Sequence, residues 1–392
     1  MTYVALSAGF LGVAAIAGIL LARRAGTPGV RWAAVGLAAF ALIVLTAVFD
    51  SVMIGAGLFT YAETLISGIR VGLAPIEDFA YPLATVVALP ALWAMLTREG
   101  GVSMRELLRQ AFVASRPVSW INTAFPFGAA MLLTTGEVDW LLVVGILYYL
   151  VPYNLAMYGI NDVFDYASDI NNPRKGGIEG ALLPPRLHRP LLWLVVCTNV
   201  PFLIVLIAAG SPAAWVAIAV STFAVIAYSA PGLRFKERPI LDSITSSTHF
   251  VSPAAVGLTL AGADIDLALV LLLSAFFLWG MAAHAFGAVQ DIVPDREAGI
   301  GSIATVFGAA RTVQLSIALW AIAGVLMLFT PWPGPLAAIV AVPYIVNAAP
   351  WWRVSDADAA GTNRAWRRFI WLNYGSGFVV TMVLIGFAMT RP

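Results

Sequence analysis

Charge is scarce in this chain and cysteine is almost absent. Only 11% of its 392 residues are charged, against 60% hydrophobic, and a net charge of +1 leaves no basic surface from which to argue nucleic-acid binding. The single cysteine, Cys197, lies in an apolar run, which excludes a disulfide framework and a cysteine metal site. No basic residue precedes the first apolar run, about 3–22, so it reads as a retained helix and not as a cleaved signal peptide. Low-complexity segments and convincing internal repeats are missing as well.

What is present is apolar sequence in blocks of membrane-crossing length. A mean hydropathy of +0.88 predicts an all-α integral membrane protein with about twelve transmembrane helices, each of about twenty residues. Three come early, at about 3–22, 32–50 and 76–96. Nine follow, at about 119–136, 138–160, 189–209, 213–229, 243–262, 266–289, 312–330, 335–350 and 368–389. With this count, every Lys and Arg except Arg70 and Arg391 falls in the loops of one face, the bias of the positive-inside rule. That face is expected to be cytoplasmic, in a multi-pass protein of the cell membrane with both chain ends outside. The stretch 98–116 carries Gly100-Gly101 and mixed charge. It is expected to link a three-helix domain, 1–97, to a nine-helix domain, 117–392.

Because carboxylates are few, their grouping is informative. Asn161-Asp162-x-x-Asp165-x-x-x-Asp169 and Asp291-x-x-x-Asp295 both stand where an apolar helix meets a long loop on the crowded face. Spacings of three and four place carboxylates on one helical face, where like charges repel unless a cation joins them. Hard oxygens in this pattern suit Mg²⁺, which commonly shares carboxylates with substrate phosphates. Arg174 and Lys175 lie beside the first cluster, and Arg234 and Lys236 follow the helix-ending Pro231-Gly232. Acids and bases facing one another make a clamp for a diphosphate. Stabilising the departing oxygen is what ionisation of an allylic diphosphate requires, and an apolar cavity then keeps water from the carbocation. Each group also has a plainer reading by itself. A lone Asp-x-x-x-Asp is a solvated helix end, and basic residues just beyond a span are topology signals.

His249 and His284 fall within apolar spans, where ionisable groups are costly. Each is expected either to hydrogen-bond a neighbouring helix as a neutral ring or to accept a proton from a product carbocation. Asn122, Asn154 and Asn199 are expected to form helix–helix hydrogen bonds.

The segments NDVFDYASD (161–169), NNPRKGG (171–177), YSAPGLRFK (228–236) and VQDIVPDREAGIGSIAT (289–305) resemble the signature regions of the UbiA-type membrane prenyltransferases. The resemblance implies a nine-helix bundle in which Asn161, Asp162, Asp165, Asp169, Asp291 and Asp295 hold Mg²⁺ and its diphosphate. Asp165, Asp295, Tyr228 and Lys236 would then act in catalysis, and Arg234, Lys236, Arg174 and Lys175 would bind the diphosphate. Gly232 stands where many members have a proline, and either residue ends the helix.

A second informative segment is Pro75-Ile76-Glu77-Asp78, two adjacent acids at the mouth of an apolar helix. They read as helix-terminal acids or as a protonatable pair for acid chemistry on a lipid-soluble substrate. With its glycine-rich approach, the segment resembles the small subunits of heterodimeric lycopene cyclases, whose signature is Pro-x-Glu-Glu/Asp. That resemblance implies a proton donated by Glu77 or Asp78 and a second cyclase subunit as partner. Joined to a prenyltransferase, the arrangement looks like the lycopene elongase/cyclase-subunit proteins of fifty-carbon carotenoid synthesis. The implied reaction is Mg²⁺-dependent transfer from dimethylallyl diphosphate to the ends of lycopene, within the lipid bilayer. A quinone precursor, a chlorophyllide or a glycerol phosphate lipid is the alternative acceptor. An ion-coupled transporter is the alternative of another class, although its coupling groups would sit near the midplane of repeated halves.

Overall fold

The computed structural model of the chain describes residues 2–25, 32–57, 59–96, 103–166, 170 and 181–390. The chain divides into two compact units, Met1–Leu108 and Arg109–Pro392, and both are built mainly of helix.

In the first unit, α1 (Thr2–Ala25) and α2 (Trp32–Gly55) both pack against α3 (Ala80–Leu96). Between α2 and α3 the chain leaves helix. A small hairpin pairs β1 (Arg70–Val71) with β2 (Ala74–Pro75), turning at Gly72, whose φ of 67° favours glycine. A 3-10 turn, Ile76–Phe79, then carries Glu77 and Asp78 into α3. The Tyr3 N–H donates to the Leu65 carbonyl, so this excursion returns to the start of α1.

The short α4 (Met104–Ala114) crosses the boundary, and the second unit then contains α5 (Ile121–Thr135), α6 (Trp140–Leu150), α7 (Pro152–Phe164) and α8 (Pro185–Ala209). Next come α9 (Pro212–Ser229), α10 (Leu241–Leu260), α11 (Leu267–Val289), α12 (Ile292–Glu297) and α13 (Ile303–Phe307). It ends with α14 (Ala309–Met327), α15 (Ala341–Ala348) and α16 (Asn363–Thr390). The short connections are tight because side chains satisfy the helix starts. Asp139, Ser211 and Asp266 accept from the first-turn N–H groups of α6, α9 and α11.

Helix α10 is the central element, packed against α5, α9 and α11. Close neighbours demand small residues. A Cβ on Gly257 would stand 2.7 Å from the Phe127 carbonyl of α5. On α11, Gly280 leaves room for Ser247, whose hydroxyl donates to the Phe277 carbonyl at 2.6 Å. The aromatic core lies beyond, where Trp320, Tyr344, Phe369 and Phe286 meet, with Trp320 stacked on Tyr344 at 5.5 Å.

Among the described residues, nine helical stretches are long and apolar enough to cross a membrane, and the protein is a multi-pass membrane protein. The expectation of twelve is therefore not met by that measure. The other three expected spans fall on α3, α5 and α10, helices of 17, 15 and 20 residues. The first two are short. In α10 serine, threonine and His249 replace apolar residues, because other helices surround much of it.

Candidate active site

Three helix ends converge in the second unit. The Asp165 N–H bonds the Asn161 carbonyl at 2.9 Å, so these two residues share a face of the last turn of α7. Beyond α9 the chain turns through Gly232 (φ 85°) and Arg234 (φ 40°), which brings Lys236 back toward α7. Beyond α11, Asp291 and Asp295 lie on one helical turn, the Asp295 N–H on the Asp291 carbonyl at 2.9 Å. Asn161, Asp165, Tyr228, Lys236, Asp291 and Asp295 all line a single cavity of about 2550 Å³.

Lys236 joins the two α7 residues of the acidic end. Its ammonium contacts Asp165 Oδ1 and lies 3.4 Å from Asn161 Oδ1, which also accepts from the Ser229 hydroxyl at 2.9 Å. Burial pushes the Lys236 ammonium down to about 8, against the upward pull of the Glu237 and Asp162 charges. Arg234 is 3.6 Å from Asp165 Oδ1 and pairs with Glu237, holding the Glu237 carboxyl below the usual range. Glu237 lines the cavity, whereas Arg234 meets the site through these two acids.

Asp162 is placed differently from its neighbours. One residue beyond Asn161, it is rotated by roughly 100° around the helix. It is 1% exposed and, among the described residues, not part of the cavity wall. Its oxygens accept from Arg116 Nη2 and from the Ala181 N–H, each at 3.1 Å. Asp162 and Asp165 are three apart and lie within about 60° of each other around the helix; what sets Asp162 off the cavity wall is its pairing with Arg116 and the Ala181 N–H. The expectation that Asp162 joins the other acids at the site is corrected accordingly. Its partner Arg116, which with Pro117 resembles the entry to the family's bundle, is a site residue outside the expected set. Arg116 lines the cavity, with its guanidinium 4.2 Å from the Tyr158 ring centre. The available signal was an arginine directly before Pro117, at the start of a span. Asp169, Arg174 and Lys175 lie outside the described residues.

The rest of the cavity wall is largely apolar. It passes Phe276 and Trp279 and reaches Asp264 and Asp266 at the other end of α11. That helix has 23 residues, or ~35 Å at ~1.5 Å per residue, so the cavity extends about as far as a bilayer's hydrocarbon core is thick. Asn154 and Asn199 bridge helices as expected, to Thr123 Oγ1 at 2.7 Å and to the Pro152 carbonyl at 2.9 Å. Asn122 lines the cavity instead.

In the first unit the paired acids face different partners. Glu77 is buried, and its Oε1 accepts from the Ser67 N–H at 2.5 Å. Asp78 Oδ2 accepts from the Tyr61 hydroxyl at 2.8 Å. Neither caps the helical turn that carries them. Glu77 Oε2 is buried with no hydrogen-bond partner among the described residues.

A bundle of apolar helices around a long, largely apolar cavity, with acids and bases gathered together where three helix ends meet, defines a membrane enzyme for a substrate pair that is part anionic and part apolar. The model of the UbiA prenyltransferase family matches residues 123–373; the chain belongs to that family and is a prenyltransferase. It is 46% identical to the C(50) beta-cyclic carotenoids biosynthesis protein LbtBC of Dietzia sp. (strain CQ4), over 95% of each chain. It is 51% identical to a lycopene elongase/hydratase of Corynebacterium glutamicum, over 72% of this chain and 98% of that relative. Its fold is shared with a UbiA homolog from Archaeoglobus fulgidus solved with DMAPP and Mg²⁺ bound (TM-score 0.52, 20% identity, 68% of this chain and 98% of that one). At that identity the likeness is one of fold alone. The protein is thus a UbiA-type prenyltransferase of carotenoid synthesis, and the transporter reading falls.

Proposed function

We propose that the second unit transfers the five-carbon group of dimethylallyl diphosphate to the ends of lycopene, and that the first unit serves as one of two subunits of a carotenoid cyclase. The cavity carries this reading. Its charged end suits a diphosphate, and its long apolar wall suits a polyene that offers no polar handle. The relatives' names support the acceptor and the donor size, since two five-carbon additions to lycopene give a C(50) carotenoid.

The donors, an amide oxygen and carboxylates on one cavity wall, are of the kind Mg²⁺ takes, although among the described residues no three acids are gathered into a ready ligand group. Asn161 and Asp165 already place oxygens around one cation, the Lys236 ammonium, and Asp291 and Asp295 line the same cavity. These four would hold the metal, with Asp169 a further carboxylate by its spacing. When bound, the ion supplies Lewis-acid neutralisation of diphosphate charge. Lys236, Arg234 and Arg116 add positive charge at the same end, and Arg174 and Lys175 are close to it in sequence. The carbon–oxygen bond breaks with its electron pair leaving on the diphosphate, and the acceptor's terminal double bond attacks the allylic cation. The apolar wall keeps water away meanwhile. The crowding of basic residues in loops at this end supports a cytoplasmic site. In the first unit, Glu77 or Asp78 would donate the proton that starts ring closure, once the second subunit is present.

Expression in a lycopene-producing host, followed by pigment mass analysis, tests the transfer. A gain of one or two five-carbon units is expected, and Asp165→Ala should abolish it. Unchanged lycopene, with the protein made and dimethylallyl diphosphate supplied, rejects the reading. Ring closure that appears only on co-expression of a second cyclase subunit, and is lost in Glu77→Gln and Asp78→Asn together, supports the role of the first unit.

A further inference from the structure

The two histidines of the apolar helices occupy different environments. His249 on α10 is 3% exposed and meets the Tyr228 ring edge-on at 5.2 Å. It also lines the cavity, but its Nε2 is buried without a hydrogen-bond partner among the described residues, so no proton relay leads from it. His284 on α11 is half-buried and lines the cavity. Both of its ring nitrogens are engaged. Nε2 lies 3.2 Å from the Tyr228 hydroxyl, and Nδ1 lies 3.1 Å from the Ser243 hydroxyl. Next to Ser243, the fully buried Asp242 carboxylate accepts from the Ser243 and Ile303 N–H groups at 2.7 Å each. A neutral imidazole has one N–H and one lone pair. With Nδ1–H donating to Ser243, the lone pair is on Nε2 and receives the Tyr228 hydroxyl. The Tyr228 oxygen, also on the cavity wall, is then a proton acceptor whose own proton has somewhere to go.

Position along the cavity matches this chemistry. His284 precedes Asp291 by seven residues, which is ~10 Å along the helix axis. A five-carbon group has room between the diphosphate end and this pair. No hydrogen bond ties Tyr228 or His284 to the acidic clusters among the described residues.

Resting on the lycopene reading above, we propose that Tyr228 and His284 together form the base that ends the transfer. Attack by the terminal double bond forms one carbon–carbon bond and leaves a tertiary cation on the neighbouring acceptor carbon. The Tyr228 oxygen takes a proton from a carbon next to that cation as its phenolic proton passes to His284 Nε2. The electron pair of the broken C–H bond becomes the new C=C bond, and no water is added. Ser243 holds the ring, and the Asp242 carboxylate lies close to the imidazolium that forms. Without this base the cation persists until water reaches it, and the product is a tertiary alcohol.

The test uses the full chain in membranes, given lycopene, dimethylallyl diphosphate and MgCl₂, with elongated pigments sorted by mass and NMR. The two products are the alkene and the alcohol with one water added at the former cationic carbon. The wild type is expected to make mainly the alkene. Tyr228→Phe and His284→Gln should form it on the order of 100-fold more slowly, with the alcohol's share rising. An unchanged alkene-to-alcohol ratio in both variants overturns the proposal, as does a wild type that ends mainly in alcohol. If His284→Gln does not fold, Ser243→Ala decides, because it removes one hydroxyl from the relay and should shift the ratio the same way; a wild-type ratio overturns the proposal. A wild type that makes no elongated pigment defeats the lycopene reading instead, so the two failures are distinct.

Discussion

The Lys236 ammonium contacts the Asp165 carboxylate at the charged end of the cavity, with Asn161 Oδ1 3.4 Å away. A lysine from the strip beyond α9 thus sits among the α7 oxygens that would hold the metal in the proposed reading. The two residues have separable roles. Lys236→Met should lower turnover on the order of 100-fold or more, by removing a cation that stabilises the departing diphosphate. Divalent-ion binding, measured with Mn²⁺ by electron paramagnetic resonance, should persist. Loss of Mn²⁺ binding in this variant would show that the lysine is needed to build the metal site.

Asp162 and Asp165 should respond to alanine in opposite ways. Asp162 is buried against Arg116 and the Ala181 N–H, so Asp162→Ala leaves a guanidinium and an amide without their acceptor. A loss of about 3–5 kcal/mol is expected, read as a lower unfolding temperature in detergent. Asp165→Ala should keep the fold and lose transfer activity. Equal stability of the two variants would contradict the placement of Asp162.

The length of the cavity can be probed far from the chemistry. Leu273 lines it on α11, well before Asp291. Leu273→Trp should obstruct a long acceptor and cut elongation of lycopene by at least about tenfold, while diphosphate binding measured by calorimetry stays as in the wild type. Undiminished elongation would place the acceptor elsewhere.

The turn that carries Asp295 is pinned by a surface pair. Arg296 Nη1 binds Asp356 Oδ2 at 2.6 Å, and Asp356 Oδ1 accepts from the Ala309 N–H at 2.7 Å. The Ala309 hydrogen bond first, then Arg296, hold the Asp356 carboxyl below its ordinary value. A depressed folded-state value adds stability above the unfolded value, about 3.9, and that stability is lost as pH falls through the folded one. Thermal unfolding followed from pH 7 downward should therefore show wild type more stable than Asp356→Asn at neutral pH. The gap should close below about pH 4. A gap independent of pH would mean that the carboxylate charge contributes nothing.

Much of this protein is local, and local features are legible in sequence. Asn161 and Asp165, or Asp291 and Asp295, are four apart, and one helical turn brings such residues to one face whatever surrounds them. Apolar blocks of helical length and loop charge marked a multi-pass α-helical protein for the same reason, because they depend on the bilayer and on backbone geometry alone. Which way each face points is not local. Asp162 is drawn off the cavity wall by Arg116 and the Ala181 N–H, and Arg116 joined the site through a contact with a residue far along the chain. α10 reads as one more span, yet its serines and glycine serve contacts with three other helices. The relay of Tyr228, His284 and Ser243 draws one residue from each of three helices. Only packing sets the rotation and depth at which those helices meet, and hydrogen bonds at about 3 Å tolerate little error in either. The sequence by itself determined which chemical groups stand at the helix ends; the tertiary structure decided which of them share the cavity.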